Sequence, residues 1–184
     1  MKHVHSLLIT SLGLIAAPAF GAVTVLDSSS ARMCYEAAES NNGNGTSLRF
    51  CDRALGEEAL SEHDRVATFV NRGILKMQRG NLDGAIVDFD TAIAENGEQA
   101  EAYLNKGVAM LRRPAGWDEA VPLFTAAIEK NTLKPEIAYL GRGIAHEMGG
   151  KVKDAYRDYK QASVLAPKWN EPAVQLARFT VVRN

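Results

Sequence analysis

Glu62, His63 and Asp64 stand next to one another and are the first residues in which acid–base chemistry could be sought. A carboxylate and an imidazole that converge on a substrate can exchange protons with it near neutral pH. Three consecutive residues of a helix instead point in different directions around the helix axis. The group is therefore interpreted as the solvated start of a helix, and no catalytic residue is predicted from it.

Other sequence signatures of catalysis, cofactor binding or metal binding are missing. There is no G-x-S-x-G, H-E-x-x-H, Walker or Rossmann motif, and the pair Gly149 and Gly150 lacks the spacing of a phosphate-binding loop. His146 is interpreted as a packed or surface residue, and no C-x-x-C pair suggests zinc. We therefore predict no cofactor, no metal site and no enzymatic activity.

The N-terminus has the features of an export signal at residues 1–22. Lys2 precedes an apolar run at 7–17, and small residues follow at 17–22. Cleavage after Ala19, Gly21 or Ala22 fits this pattern equally well. The apolar run is too short to span a bilayer and none later exceeds it, so we expect a periplasmic or secreted protein with no membrane insertion after processing. The alternative is a buried N-terminal helix of a cytosolic protein.

Cys34 and Cys51 are the only cysteines, and they lie on two candidate helices separated by a turn at 41–45. In an exported chain such a pair favours a structural disulfide that closes a helical hairpin. Cross-linking a loop of this length stabilises a fold by about 3 kcal/mol in the chain-entropy description.

Overall composition excludes one large class of partner. The formal net charge of the 184 residues is −1, and the charged fraction of 23% is ordinary for a soluble protein. No surplus of basic residues is available to neutralise a phosphate backbone, so nucleic acid is not expected as a partner.

A pattern of aromatic, glycine and alanine residues occurs three times at a spacing of 34 to 36 residues. The copies are Phe69, Gly73, Ala85, Phe89 and Ala92; Tyr103, Gly107, Ala120, Phe124 and Ala127; and Tyr139, Gly143, Ala155, Tyr159 and Ala162. A unit of this length is a helical hairpin that must stack on its neighbours to bury its apolar face. The predicted fold is therefore an all-α solenoid.

The pattern divides the chain after the signal into five parts. We predict a divergent capping hairpin at 23–61, repeats at 66–99, 100–135 and 136–169, and a C-terminal capping helix in 170–184 that starts after Asn170 and runs to about Val182. The Asp and Lys residues of the second helices, Asp88 among them, are expected to form an exposed outer face.

These residues resemble the tetratricopeptide repeat over residues 66 to 169. The third copy carries the complete pattern, including Pro167, whereas Gly97 and Thr132 replace that proline in the other two. A leucine that usually precedes the glycine of the family is replaced by Arg72, Lys106 and Arg142. The resemblance implies a scaffold whose first helices line a concave groove that holds a peptide or a helix of a partner.

The family's groove positions carry aliphatic residues and two asparagines in this chain. They are Val70, Asn71, Ile74, Met77, Glu101, Leu104, Asn105, Val108, Leu111, Leu140, Ile144 and Glu147. An asparagine has both a donor and an acceptor, so the amides can pair with the main chain of an extended peptide. The alternative is that several of the aliphatic residues pack against a neighbouring repeat or the C-terminal helix. Capture of a terminal carboxylate is not expected, because Val70, Ile74 and Gly141 stand where that version of the fold has polar or basic residues.

The function expected from these features is that of an exported, non-enzymatic adaptor that binds a protein or peptide of the cell envelope. One alternative is an accessory domain that presents a substrate to a catalytic envelope partner. Another is a structural module that associates with itself.

Overall fold

The computed structural model describes residues 21–26 and 29–179, and residues 29–179 are helical apart from the connections and the short segment after the last helix. The helices are α1 (Ser29–Glu39), α2 (Gly45–Glu57), α3 (Glu62–Gln78), α4 (Leu82–Glu95), α5 (Ala100–Leu111), α6 (Trp117–Glu129), α7 (Pro135–Met148), α8 (Val152–Leu165) and α9 (Asn170–Leu176). The predicted all-α solenoid is confirmed. No helix of the described residues is long and apolar enough to cross a membrane.

The predicted signal at 1–22 lies outside the described residues except for Gly21 and Ala22. Residues 23–26, which we assigned to the capping hairpin, are extended and precede it, so the hairpin itself consists of α1 and α2.

Antiparallel helix pairs stack because a glycine on the first helix of each pair faces an aromatic ring on the second. The pairs are Gly73 with Phe89, Gly107 with Phe124, and Gly143 with Tyr159. A Cβ atom at position 73 would lie 2.5 Å from Cε1 of Phe89, which is too close for any side chain. The rings are fully buried, so the recurring residues of the sequence pattern are the contacts that hold each hairpin together.

The predicted disulfide joins Cys34 on α1 to Cys51 on α2, with an S–S distance of 2.09 Å. Both cysteines are fully buried. Asn44 begins α2 by accepting hydrogen bonds from the main-chain N–H groups of Thr46 and Ser47. The hairpin of α1 and α2 packs against α3 and covers that end of the stack.

Our expectation that Asp88 lies on an exposed outer face is wrong. Its carboxylate is buried, and Arg72 donates to both oxygens at 3.0 and 2.7 Å. The third repeat has the same arrangement, in which Arg142 donates to Asp158 at 2.9 and 2.8 Å. Each pair links the two helices of one hairpin. The physical reason for the error is that both arginine side chains are themselves largely buried, at 19% and 20% exposure, and a buried cation requires an anion beside it.

The C-terminal capping helix is shorter than predicted. It ends at Leu176 rather than near Val182, and Asn170 is its first residue instead of a side-chain cap. After Leu176 the chain turns so that Arg178 pairs with Glu147 and the ring of Phe179 lies 5.8 Å from that of Tyr159. The helix ends early because the chain must turn at this point for Arg178 and Phe179 to reach the third repeat. Residues 180–184 of the predicted helix lie outside the described residues.

Candidate functional site

Asn71 and Asn105 occupy equivalent positions of α3 and α5, and both are completely buried. An unpaired carboxamide in an apolar interior is costly, so each of these buried amides requires hydrogen-bond partners. The corresponding residue of α7 is Gly141, which places these amides in the first two repeats only.

Residues 21–26 lie across these helices as an extended segment. Gly21, Val23 and Val25 are buried, whereas Thr24 and Leu26 are exposed, so the side chains alternate between the protein and solvent. This alternation is that of a β-strand with one face covered. The chain thus places a short piece of its own extended backbone on the face that the sequence predicts to bind peptides.

Asn71 holds this segment by pairing with both main-chain groups of Val23. The N–H of Val23 donates to Oδ1 of Asn71 at 2.9 Å, and Nδ2 of Asn71 donates to the carbonyl oxygen of Val23 at 2.8 Å. The carboxamide therefore acts as the edge of a neighbouring strand would. It recognises a main chain in extended conformation irrespective of the side chains.

Asp64 holds the other end of the segment, because the N–H of Leu26 donates to Oδ1 of Asp64 at 2.9 Å. We interpreted Asp64 as part of a solvated helix start, but its side chain is buried. Burial by itself raises the pKa of Asp64, and the hydrogen bonds from Leu26, His63 and Ser61 outweigh it and lower the pKa below its usual value. Asp64 is therefore a carboxylate at neutral pH, and it accepts a charge-assisted hydrogen bond from the segment.

Asn105 is paired less completely than Asn71. Its Nδ2 donates to the carbonyl oxygen of Glu101 at 2.8 Å and makes only a long contact, 3.5 Å, with the carbonyl oxygen of Gly21. Its Oδ1 is buried and has no hydrogen-bond partner among the described residues. A main-chain N–H at this point would satisfy an acceptor that residues 21–26 leave open.

The predicted aliphatic residues of the first two repeats form the apolar floor around the segment. Val70, Ile74, Met77 and Leu104 are fully buried and belong to the same core cluster as Val23 and Val25. Val108 and Leu111 are half-buried and pack against that cluster at its edge. The floor is therefore partly covered by the chain itself, and its remaining edge lies on α5.

Glu101 holds the second repeat to the third. Its Oε1 accepts hydrogen bonds from the N–H of Leu133 at 2.8 Å and from the hydroxyl of Thr132 at 3.2 Å. Thr132 replaces the family's proline, and its hydroxyl donates to Glu101, which links α5 to the connection before α7. The carboxylate of Glu101 is committed to the connection between α6 and α7.

The predicted groove residues of the third repeat lie with the C-terminal segment. Leu140 is buried in a separate apolar cluster with Tyr159, and Ile144 packs on it. Glu147 accepts a hydrogen bond from the hydroxyl of Tyr159 at 2.7 Å and pairs with Arg178. Burial, together with this bond to Glu147, raises the pKa of Tyr159. Residues after α8 therefore cover this face of α7. This agrees with the alternative in which these positions pack against the C-terminal part of the chain.

A cleft on the third repeat brings several titratable groups together. It is lined by Tyr139, Arg142, His146, Asp154, Arg157, Asp158 and Gln161. Arg142 pairs with Asp158 and Arg157 pairs with Asp154, so their charges are neutralised locally. Burial lowers the pKa of His146, and its Nε2 is 3.8 Å from Asp158. This arrangement stabilises the hairpin of α7 and α8, and the residues 21–26 and 29–179 contain no cluster of His, Cys, Asp and Glu that could hold a metal ion.

Comparison with known protein families agrees with the repeat geometry. A family model of the tetratricopeptide repeat matches residues 70–116 and 115–168, which together span more than half of the chain. The chain belongs to the tetratricopeptide repeat family. No curated protein matches this tetratricopeptide repeat chain. Repeats of this family generally mediate interactions between proteins.

The sequence predicts both asparagines as groove residues of the tetratricopeptide fold, but it did not indicate that residues 21–23 contact them. The signal was present in the alternation of Val23, Thr24 and Val25, which is typical of a strand with one buried face. Three alternating residues directly after an apolar leader are too few to distinguish a strand from the end of that leader.

Proposed function

We propose that the protein is an exported, non-enzymatic scaffold that binds an extended segment of a cell-envelope protein in its concave groove. The observation that carries the proposal is the pairing of the Asn71 carboxamide with both main-chain groups of Val23. A groove that holds one extended main chain in this way has the chemistry to hold another.

An extended peptide fits this groove better than a helix of a partner does. In a helix the main-chain N–H and C=O groups are already bonded to one another, so they cannot pair with Asn71 or Asn105. An extended segment presents both groups at every second residue on the same side. Aliphatic side chains on the opposite pleat positions would then enter the floor formed by Val70, Ile74 and Leu104.

Replacing Asn105 by alanine is expected to weaken binding of the natural partner by roughly 1 to 3 kcal/mol, because main-chain groups of the bound peptide lose their buried partner. Asn105 is the better position for this test, since its Oδ1 is unpaired and Asn71 also holds residues 21–26. The partner is captured from an envelope extract with a photo-crosslinking residue at Val108, at the edge of the floor, and the adduct is titrated against the Asn105→Ala chain.

Two matched controls accompany this measurement. Gln161→Ala removes an exposed amide from α8 and is expected to leave the adduct unchanged. A crosslinker at Val87, an exposed valine of α4, is expected to give no adduct. An adduct that forms from Val87 and is insensitive to Asn105→Ala would place the partner on the second helices and contradict the groove proposal.

Export is a separate part of the proposal and is supported by the leader sequence and by the disulfide, since such bonds persist in oxidising compartments. Cell fractionation is expected to recover the chain outside the cytoplasm with its N-terminus after residue 19, 21 or 22. Recovery of an intact chain that retains Met1 in the cytoplasm would refute export and leave the groove chemistry unaffected.

A further inference from the structure

Resting on the proposed function, we propose that residues 21–26 are an internal ligand of the groove, and that the partner is an extended peptide with aliphatic residues two positions apart that displaces them. The groove is thus closed in the isolated chain and opens by exchange of one extended segment for another.

The contacts of residues 21–26 are those of a bound peptide. Two hydrogen bonds join the main chain of Val23 to Asn71, and a third joins the main chain of Leu26 to Asp64. The side chains of Val23 and Val25 are buried, at 9% and 6% exposure, whereas Leu26 is 75% exposed. Side-chain selection therefore acts at two alternate positions, and an aliphatic residue at each is the chemistry that fits.

The internal ligand leaves part of the groove unused, so a peptide that fills this part can displace residues 21–26. Gly21 makes only the 3.5 Å contact with Asn105, and Oδ1 of Asn105 has no partner among the described residues. A built Cβ at Gly21 would lie 2.9 Å from Cγ of Glu101, so the backbone lies close against α5 at this point. A partner that donates an N–H to Asn105 gains a buried hydrogen bond that residues 21–26 do not make.

Attachment to the same chain makes this weak ligand an effective competitor. Tethering over a short distance along the chain produces an effective concentration of about 1 mM or more, so a free peptide must exceed that competition to enter. Each of the three cleavage positions considered for export retains Val23 to Leu26 in the mature chain. Removal of the leader therefore does not open the groove.

The test uses the full mature chain and a fluorescent peptide, acetyl-Gly-Ala-Val-Thr-Val-Leu-amide, as the probe. Val25→Asp places a charge on the buried face of the segment and is expected to increase probe affinity at least about tenfold by removing the tethered competitor. Thr24→Asp adds the same charge one residue earlier on the exposed face and is expected to bind the probe as weakly as the parent chain does. Circular dichroism and the disulfide content establish that each variant is folded.

Side-chain selection is tested on the probe itself in the Val25→Asp chain. A probe with aspartate in place of its second valine is expected to lose binding, and one with aspartate in place of its threonine is expected to retain it. Equal binding of both altered probes would overturn the assignment of two aliphatic positions.

A second measurement does not depend on any variant. The amide hydrogen of Leu26, which every considered cleavage position retains, is expected to exchange slowly with deuterium in the parent chain, since it is bonded to the buried carboxylate of Asp64. Addition of excess probe is expected to accelerate this exchange. Exchange as fast as that of an unstructured peptide, or equal probe affinity of the parent and Val25→Asp chains, would overturn the proposal. A parent chain that sediments as a dimer, and that Val25→Asp converts to a monomer, would show the segment crossing to a second copy and would also overturn it.

Failure of this inference is distinguishable from failure of the proposed function. If the parent and Val25→Asp chains capture the envelope partner equally through Val108, the groove binds peptides and the internal ligand is not a gate. If the Val25→Asp chain binds the probe more tightly than the parent chain, but Asn105→Ala weakens the capture of no envelope protein, the internal ligand is established and the proposed envelope function is wrong.

Discussion

Replacing Asp88 by alanine is expected to lower the free energy of unfolding by about 3 to 5 kcal/mol, which is the cost of removing one partner from a buried ion pair. The carboxylate of Asp88 is 2% exposed and pairs with Arg72 and with Lys76, whose Nζ lies 2.7 Å away. Burial by itself lowers the pKa of Arg72, but its hydrogen bonds to Asp88 raise it above the usual value. Urea denaturation followed by circular dichroism measures the change.

Asp90 provides the matched control for this prediction on the same helix. It pairs with Lys106 but is 52% exposed, so Asp90→Ala is expected to cost less than about 1 kcal/mol. A triple change, Arg72→Leu, Lys76→Leu and Asp88→Leu, removes the anion together with both of its cations and is expected to be less destabilising than Asp88→Ala, because apolar residues can replace buried charges that pair with one another. Equal stability of the Asp88→Ala and Asp90→Ala chains would show that the buried pair of Arg72 and Asp88 contributes little to the free energy of unfolding.

Reduction of the disulfide is expected to destabilise the N-terminal hairpin by about 3 kcal/mol, as estimated for a loop of this length. Cys34 and Cys51 cross-link α1 and α2, which have a neighbouring repeat on one side only. Because the stability of a solenoid is a sum of local contributions, α7 and α8 are expected to be unaffected. Hydrogen exchange with and without reductant measures protection along the chain.

The distant hairpin serves as the internal control in that experiment. Loss of protection that is confined to α1, α2 and the adjoining part of α3 supports a local effect of the cross-link. An equal loss in α7 and α8 would show that the molecule unfolds as one unit, and an absence of any loss would show that the cross-link contributes nothing to this end of the stack.

The repeat architecture could be predicted because its determining contacts recur at a fixed spacing. Gly73 and Phe89 face each other within one hairpin, and a glycine faces an aromatic ring in the same way in the next two copies. Such contacts are local in the chain and leave a periodic trace. Helix order follows from them without any knowledge of distant contacts.

The burial of Asp88 was not predicted because its ion pair recurs in the third repeat but not in the second, so it is not part of the pattern that all three copies share. The second repeat has Leu123 at the position of Asp88, and Lys106 pairs there with the exposed Asp90. A buried aspartate is expected only when its arginine is known to point inward. The available signal was the replacement of the family's usual leucine by Arg72 and by Arg142, each of which pairs with an aspartate 16 residues later.

The sequence could predict the two asparagines of the groove but not the segment that contacts them. Equivalent positions in the repeats identify Asn71 and Asn105, since the family places groove residues there. The occupant is 48 residues away from Asn71 in sequence, and a hydrogen bond over that separation has no local signature. The shorter α9 has the same explanation, because its end is decided by the contact of Arg178 with Glu147, 31 residues earlier.

The central claim, that the groove recognises the main chain of an extended peptide through its asparagines, is tested most directly by nuclear magnetic resonance of the Val25→Asp chain during titration with the fluorescent probe peptide. We predict that the side-chain amide resonances of Asn71 shift progressively and saturate, while those of the exposed Gln161 stay in place. Binding of the probe without any shift at Asn71, with perturbations confined to α4, α6 and α8, would contradict this claim.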